Sequence, residues 1–183
     1  MPRIAPVDPS KATGRAKELL DAVQRKYGRV ANVVAGLANS PAALEAYLKV
    51  QEALGSGSLD AKLREQIALV VAQANGCEYC VSAHTAIGKM VGLDDRQVVG
   101  ARQAATGDAR IDAALRFART VVDRRGWATD EDLAAVRAAG WSDGEMVEIL
   151  ANVVANFFTN YFNHVAGTEV DFPRVEWKQV QSA

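Results

Sequence analysis

The chain has 183 residues, 49% of them apolar, and its 21 Lys and Arg residues nearly balance its 22 Asp and Glu residues. No apolar run approaches the roughly 18 residues of a membrane span, and a net charge of -1 offers no excess positive field to nucleic acid. A chain of this length buries about 70% of its unfolded surface, so one domain over residues 1–183 needs no structural disulfide or metal. The first residues contain neither a long apolar core nor a small-residue cleavage site, so export is not expected. We therefore expect one soluble, cytoplasmic domain that binds neither nucleic acid nor membrane.

Apolar residues recur at three- and four-residue spacings along almost the whole chain, and alternating strand-like runs with hairpin turns are missing. This pattern predicts an all-α bundle of eight to nine helices. In chain order, the predicted helices span about Ser10–Tyr27, Asn32–Leu37, Pro41–Leu54, Leu59–Asn75, Cys77–Val91, Asp94–Ala105, Asp108–Arg125, Thr129–Gly140 and Ser142–Ala166. The tail, residues 167–183, carries Pro173 and is expected to lie extended on the surface.

The only two cysteines, Cys77 and Cys80, are too few for a disulfide scaffold, and their close spacing indicates chemistry or metal binding. Asn75-Gly76 favours a turn, so a new helix is predicted to begin at Cys77. Both sulfurs then lie in its first turn, where free backbone N–H groups and the helix dipole favour a thiolate. His84 follows Cys80 by one turn and lies over the same helix face.

An antiparallel hairpin about Asn75-Gly76 would bring Glu65 within one turn of His84. The resulting order, Glu65 to His84 to Cys80, is an acid-oriented base beside a nucleophile, with Cys77 as the thiol that captures oxidised Cys80 as a disulfide. Each residue also has a purely structural interpretation. Free cysteine is often a buried small hydrophobe, and a glutamate near a helix start is often a surface acid.

Zinc binding is the main non-redox alternative, since Cys77, Cys80 and His84 provide three ligands. Glu65 or His164 could provide the fourth. A second Cys/His pair, which structural zinc sites usually have, is missing from the sequence. A thioredoxin fold is excluded because no predicted strand precedes the cysteines.

The spacing from Glu65 through Cys77 and Cys80 to His84, within residues 59–93, resembles the core motif of the alkylhydroperoxidase D-like (AhpD-like) branch of the carboxymuconolactone decarboxylase family. The stretch from Phe158 to His164 is similar to the C-terminal part of the longer, peroxidase-related members of that family.

This resemblance implies an all-helical fold, assembly into homotrimers or homohexamers, and thiol-dependent reduction of hydroperoxides. It assigns peroxide attack to Cys80, resolution to Cys77 and the proton relay to Glu65 and His84. The reductant would be an external dithiol of the thioredoxin-like or lipoyl kind, and the chemistry requires no organic cofactor or metal. Tyr79 stands where the best-studied branch has a second histidine. A cofactor-free decarboxylase is the alternative within the family, although that branch generally lacks the cysteine pair.

The second half of the chain repeats one spacing, because Glu145 and His164 are separated by the same interval as Glu65 and His84. Two explanations stay open, a duplicated helical unit that lost its thiols or a coincidence. Glu145 has a simpler role as the acid of a capping box that begins at Ser142.

The last predicted helix carries polar residues at four-residue steps, namely Glu148, Asn152, Asn156, Asn160 and His164. This series is either a solvated stripe or a buried amide network, because an enclosed asparagine must be hydrogen-bonded. Four aromatic residues lie around the same helix and predict that a second copy of the chain covers part of it, namely Phe157, Phe158, Tyr161 and Phe162.

Overall fold

The computed structural model describes residues 1–178, which contain nine helices and no strand. The all-α prediction is confirmed. The helices are α1 (Gly14–Tyr27), α2 (Asn32–Leu37), α3 (Pro41–Gly55), α4 (Ala61–Asn75), α5 (Glu78–Met90), α6 (Asp95–Gln103), α7 (Ala109–Asp123), α8 (Asp130–Ala138) and α9 (Asp143–Ala166).

Side-chain caps set most of the helix starts. The Ser40 hydroxyl accepts a hydrogen bond from the Ala43 N–H at 3.3 Å, and Pro41 occupies the first helical turn. Asp94 and Ser142 each form a complete capping box, in which the cap side chain and the third helical residue exchange hydrogen bonds. These caps bound α3, α6 and α9 within a residue or two of the predicted starts.

Helix α1 begins later than predicted. Ser10 does not cap it, because its N–H and hydroxyl both donate to the Asp8 carboxylate in a preceding turn. Thr13 is the residue before the first helical turn, and the helix ends at Gly28, whose φ of 72° is left-handed. A local side-chain turn therefore replaces the first predicted turn of helix.

Helix α4 lies at the centre of the bundle and packs against α5, α6, α7 and α9. Three of its residues, Ile67, Val70 and Val71, have no exposed surface. A helix that is apolar around most of its circumference must be enclosed by other elements. Helix α4 thus separates two apolar clusters, one built with α6 to α9 and one built with α1, α2, α3 and α5.

The connection between α4 and α5 is a single tight reversal. Gly76 adopts φ 65° and ψ 31°, its N–H donates to the Gln73 carbonyl at 3.2 Å, and the Cys77 N–H donates to the Ala72 carbonyl at 2.9 Å. This is the Schellman arrangement that ends a helix with glycine. It turns the chain back within one residue, so that α5 runs antiparallel to α4.

The C-terminal tail differs from the surface segment that was expected. It has no helix over residues 168–178, but Phe172, Val175 and Trp177 are half-buried against the cluster that contains the cysteines. The Val175 N–H donates to the Ser82 hydroxyl at 2.9 Å, and the Gln73 amide donates to the Trp177 carbonyl at 2.8 Å. The tail therefore covers the start of α5. Its predicted last part, residues 179–183, lies outside the described residues.

Within residues 1–178, no helix combines the length and apolar character that crossing a membrane requires.

We predict that Gly76→Ala destabilises the fold more than Gly28→Ala. Both glycines have a left-handed φ, which costs a residue with a Cβ about 1–2 kcal/mol. A Cβ at Gly76 would also lie 3.3 Å from the Trp177 ring, whereas a Cβ at Gly28 would meet nothing within 4 Å. Urea unfolding of the two variants measures the difference. Equal losses would show that the tail does not pack on this turn.

Candidate active site

The two cysteines lie where α5 begins and are joined by a disulfide, with their Cα atoms 5.3 Å apart. Cys77 is the N-cap residue of α5, and its sulfur accepts a hydrogen bond from the Cys80 N–H at 3.3 Å. Only 1% of Cys77 and 2% of Cys80 is exposed. After reduction, a negative charge on either sulfur would lie at the positive end of the α5 dipole, which favours the thiolate.

Glu65 and His84 form the predicted contact across the hairpin. The distance between Glu65 Oε2 and His84 Nδ1 is 2.8 Å, and both side chains are about four-fifths buried. A carboxylate on Nδ1 orients the ring and leaves Nε2 as the atom that exchanges a proton. Within residues 1–178, the hydrogen bonds that the sulfurs accept come from the Cys80 amide and from Asn163, and His84 makes none to them in the disulfide form.

Asn163, on α9, is a site residue that sequence reasoning missed. Its Nδ2 donates to Cys80 Sγ at 3.3 Å, and the residue is only 5% exposed. Its Oδ1 is buried and has no hydrogen-bond partner among the described residues. The only signal in the sequence was that Asn163 directly precedes His164 in the stretch similar to peroxidase-related proteins.

The asparagine series of α9 is buried rather than solvated. The Asn156 amide donates to the Asn152 carbonyl at 2.9 Å, and Asn160 Oδ1 accepts from the Asn75 amide at 3.1 Å. The side chains thus bond to backbone and to α4 instead of forming a chain of amides. Each four-residue step rotates about 40° beyond a full turn, so His164, the last member, is exposed. Asn163 occupies the inner position in its place.

Tyr79 points away from the sulfurs and joins α5 to the tail. Its hydroxyl donates to Asp171 Oδ1 at 2.8 Å and accepts from the Val33 N–H at 3.2 Å. Asp171 also pairs with Arg29. Burial raises the pKa of the Tyr79 phenol well above its usual value, so this side chain stays protonated near neutral pH. It cannot replace a histidine as a proton carrier, and its role here is to hold the tail.

An open pocket of about 480 Å³ reaches the site beside the start of α5. Cys77 and Asn163 lie in its wall, while Cys80, Glu65 and His84 are not among the described residues that line it. The other lining residues are Gly76, Glu78, Tyr79, His164, Gly167, Thr168, Glu169, Val170 and Arg174. A volume of this size admits a small organic molecule.

The two remaining sequence hypotheses gain no support from the geometry. Within residues 1–178, no three His, Cys, Asp or Glu side chains lie close enough together to hold a metal ion, which does not favour the zinc alternative. Glu145 and His164 lie on the single helix α9, where 19 residues correspond to about 28 Å. They cannot meet as Glu65 and His84 do, and Glu145 instead caps α9 at Ser142 and pairs with Arg110.

The fold and site together define an all-helical protein with a Cys-x-x-Cys pair at a helix start and a Glu–His pair across a helical hairpin. Residues 41–122, which contain this whole motif, match the model of the carboxymuconolactone decarboxylase family. The match covers less than half of the chain, and together with the shared fold it supports an AhpD-like assignment within this family.

Several solved structures share this fold. An AhpD-core, peroxidase-related protein from Ralstonia eutropha JMP134 is 26% identical, with a TM-score of 0.83 over 93% of this chain and 92% of that one. A peroxidase-related protein from Silicibacter sp. TM1040 is 24% identical, with a TM-score of 0.73 over 97% and 96%. The debrominase Bmp8, in complex with 2,3,4-tribromopyrrole, is 18% identical, with a TM-score of 0.79 over 92% and 91%. Among curated proteins, none matches the sequence significantly.

Proposed function

We propose that this protein is a thiol-dependent peroxidase that reduces hydroperoxides through the Cys77–Cys80 pair. The observation that carries the proposal is the disulfide at the start of α5, one turn from a histidine that a buried glutamate orients. Two thiols that can close a disulfide provide the two electrons that reduce a hydroperoxide to an alcohol and water. The peroxidase-related names of two neighbours agree with this chemistry.

The first step is attack of the Cys80 thiolate on the terminal oxygen of the hydroperoxide. An S–O bond forms, the O–O bond breaks, and the alkoxide leaves as the alcohol after taking a proton from the Glu65–His84 pair. Cys80 is now a sulfenic acid. The Cys77 sulfur then attacks Cys80 Sγ, the S–S bond forms, and the hydroxyl leaves as water with the Cys77 proton.

The disulfide returns to two thiols at the expense of an external dithiol, of the thioredoxin-like or lipoyl kind. Because Cys77 lines the pocket and Cys80 does not, the incoming thiolate attacks Cys77 Sγ and Cys80 leaves as the thiolate. The mixed disulfide is resolved by the second thiol of the reductant. Cys80 then carries the negative charge that the next peroxide requires.

Two other activities, decarboxylation and debromination, occur in this family or on this fold, and peroxide reduction must be distinguished from both. A cofactor-free decarboxylase would work without either thiol. Debromination, the activity for which Bmp8 is named, was found for a chain only 18% identical to this one. The buried redox pair favours peroxide reduction over decarboxylation, and bromide release from 2,3,4-tribromopyrrole is the assay that separates it from the debrominase activity.

We predict that peroxide converts two free thiols of the reduced chain to none. Cys80→Ser should abolish peroxide consumption, whereas Cys77→Ser should complete one turnover and accumulate sulfenic acid, because only the resolving thiol is lost. Thiol counting and mass measurement after one equivalent of cumene hydroperoxide provide the readout. The reverse pattern would exchange the two roles, and unchanged consumption in both variants would reject the thiol mechanism.

A second prediction concerns the proton relay. Glu65→Gln and His84→Ala should each slow peroxide reduction by about 100- to 10,000-fold, as loss of general acid-base assistance does. Since the two residues act through one hydrogen bond, the double variant should lose much less than the product of the single losses. Glu52→Gln, at an exposed position of α3, is the matched control. Multiplicative losses would show that Glu65 and His84 work separately.

Assembly into a homotrimer or homohexamer is part of the same proposal, and α9 offers the surface for it. Of the four aromatic residues on this helix, Phe157 and Phe162 pack inward and are half-buried, which leaves Phe158 and Tyr161 exposed for a second copy of the chain. Helix α9 exposes an apolar stripe at three- and four-residue steps, formed by Val147, Leu150, Val154, Phe158, Tyr161 and Val165. This spacing is typical of a helix face that packs on another helix.

We predict that Val154→Glu, in the middle of this stripe, lowers the molar mass of the assembly, because a buried unpaired carboxylate opposes the contact. Light scattering over a wide dilution range measures the mass. Trp127→Glu changes a residue that is 82% exposed and lies outside α9, and it should leave the mass unchanged. A wild-type monomer at every concentration would contradict the proposed assembly.

A further inference from the structure

The amide of Asn163 is the one side-chain group that donates a hydrogen bond to Cys80 Sγ within the described chain. Its Nδ2 is 3.3 Å from that sulfur, and 83 residues of sequence separate the two. An N–H donor aimed at sulfur stabilises a negative charge there more than it stabilises a neutral thiol, because hydrogen bonds to charged groups are roughly twice as strong. The contact therefore stabilises a negative charge on Cys80 Sγ, as the Cys80 backbone N–H does for Cys77 Sγ.

The other end of the same amide is unpaired. Asn163 is 95% buried, and its Oδ1 has no hydrogen-bond partner among the described residues. The residue also lies in the wall of the pocket that reaches Cys77. A buried carbonyl oxygen without a donor is unfavourable, because it has lost its hydrogen bonds to water and gained none in the protein. A molecule that enters the pocket and carries an O–H group can supply that donor.

We propose that Asn163 is a catalytic residue that binds both reactants of the peroxide step, the Cys80 thiolate through Nδ2 and the terminal O–H of the hydroperoxide through Oδ1. This inference rests on the proposed function and adds a residue to it. With both contacts made, the terminal oxygen is held beside Cys80 Sγ, where the S–O bond forms as the O–O bond breaks. The alkoxide leaves on the far side of that oxygen and takes its proton from the Glu65–His84 pair.

The same Nδ2 contact acts when the disulfide is reopened. An external thiolate that attacks Cys77 Sγ through the pocket breaks the S–S bond and leaves the electron pair on Cys80 Sγ. Disulfide exchange is faster when the leaving thiolate is more stable. Asn163 therefore assists both half-reactions, and its loss should slow both.

Other charged groups near the sulfurs enter any pH dependence of the site. Glu65 of α4, His84 of α5 and His164 of α9 are the titratable groups that the helices contribute near the sulfurs. The tail contributes the remaining charges at the pocket. These are Glu169 and Arg174, of which Arg174 pairs with Glu78 of α5. None of them bonds to Cys80 Sγ among the described residues, so a change at Asn163 is separable from them.

The test compares Asn163→Leu and Asn163→Asp with Asn156→Leu. Asn156 is buried on the same helix, and among the described residues its side-chain amide bonds only to the Asn152 carbonyl, so it is a matched control. In the Cys77→Ser background, ultraviolet absorbance of the thiolate titrates Cys80. We expect the Cys80 pKa to rise by about 1–2 units in Asn163→Leu and further in Asn163→Asp, where a like charge replaces the donor.

Two rates complete the experiment. Sulfenic acid formation from cumene hydroperoxide should fall about tenfold or more at neutral pH in Asn163→Leu. Part of this loss should disappear at alkaline pH, where Cys80 is ionised in every variant, and the part that persists reports the Oδ1 contact. Opening of the disulfide by dithiothreitol should also slow in the two Asn163 variants and not in Asn156→Leu.

The possible outcomes separate this inference from the proposed function. If the wild type consumes no hydroperoxide, the proposed function fails, while the Cys80 titration and the dithiothreitol rate still test Asn163 as a thiolate donor. If the wild type is active and the Asn163 variants match Asn156→Leu in pKa and in both rates, the inference is wrong. Should Asn163→Leu not fold, Asn163→Asp, which keeps the shape of the side chain, decides the result.

Discussion

The reversal of the chain at Gly76 is the constraint on which the rest of the site depends. A left-handed residue at this point ends α4 and starts α5 with no intervening loop, so the two helices run antiparallel from the first turn. That geometry makes Cys77 an N-cap and places Cys80 in the first turn. It also fixes the register that brings Glu65 against His84 a few turns away. One backbone conformation thus positions all four residues of the motif.

A reactive pair at a helix start would ordinarily be exposed, and the tail prevents this. Two side chains of α5 hold the tail. The Tyr79 hydroxyl donates to the Asp171 carboxylate, and the Ser82 hydroxyl accepts from the Val175 N–H. Arg102, a buried guanidinium on α6, donates to the carbonyl oxygens of Glu176 and Trp177. The cysteines are therefore enclosed by segments far apart in the sequence. Enclosure limits access to small molecules and favours controlled disulfide exchange over nonspecific oxidation.

Interactions between residues close together in the sequence could be predicted from the sequence, whereas interactions between distant segments could not. The helix caps, the Gly76 turn and the Glu65–His84 contact are local or follow from hairpin register, so residue spacing alone predicts them. Asn163 reaches Cys80 from a distant helix, and no periodic signal connects the two. The four-residue series on α9 included His164 and not Asn163, because four-residue steps rotate gradually around an α-helix and the last member no longer faces inward. The tail has no periodicity, so its burial depends on contacts that only the folded chain reveals.

The site has two sides with different chemical roles. On one side the pocket reaches Cys77 and Asn163, and in the proposed cycle both the hydroperoxide and the reducing thiol arrive there. The other part of the site is the pair of Glu65 and His84, which are not among the described residues that line the pocket and each expose about a fifth of the side chain. Protons can therefore be exchanged with water through His84 while the sulfurs stay enclosed. In the proposed cycle, peroxide reduction and disulfide opening both change the charge on Cys80, and proton exchange through His84 supports each of these steps.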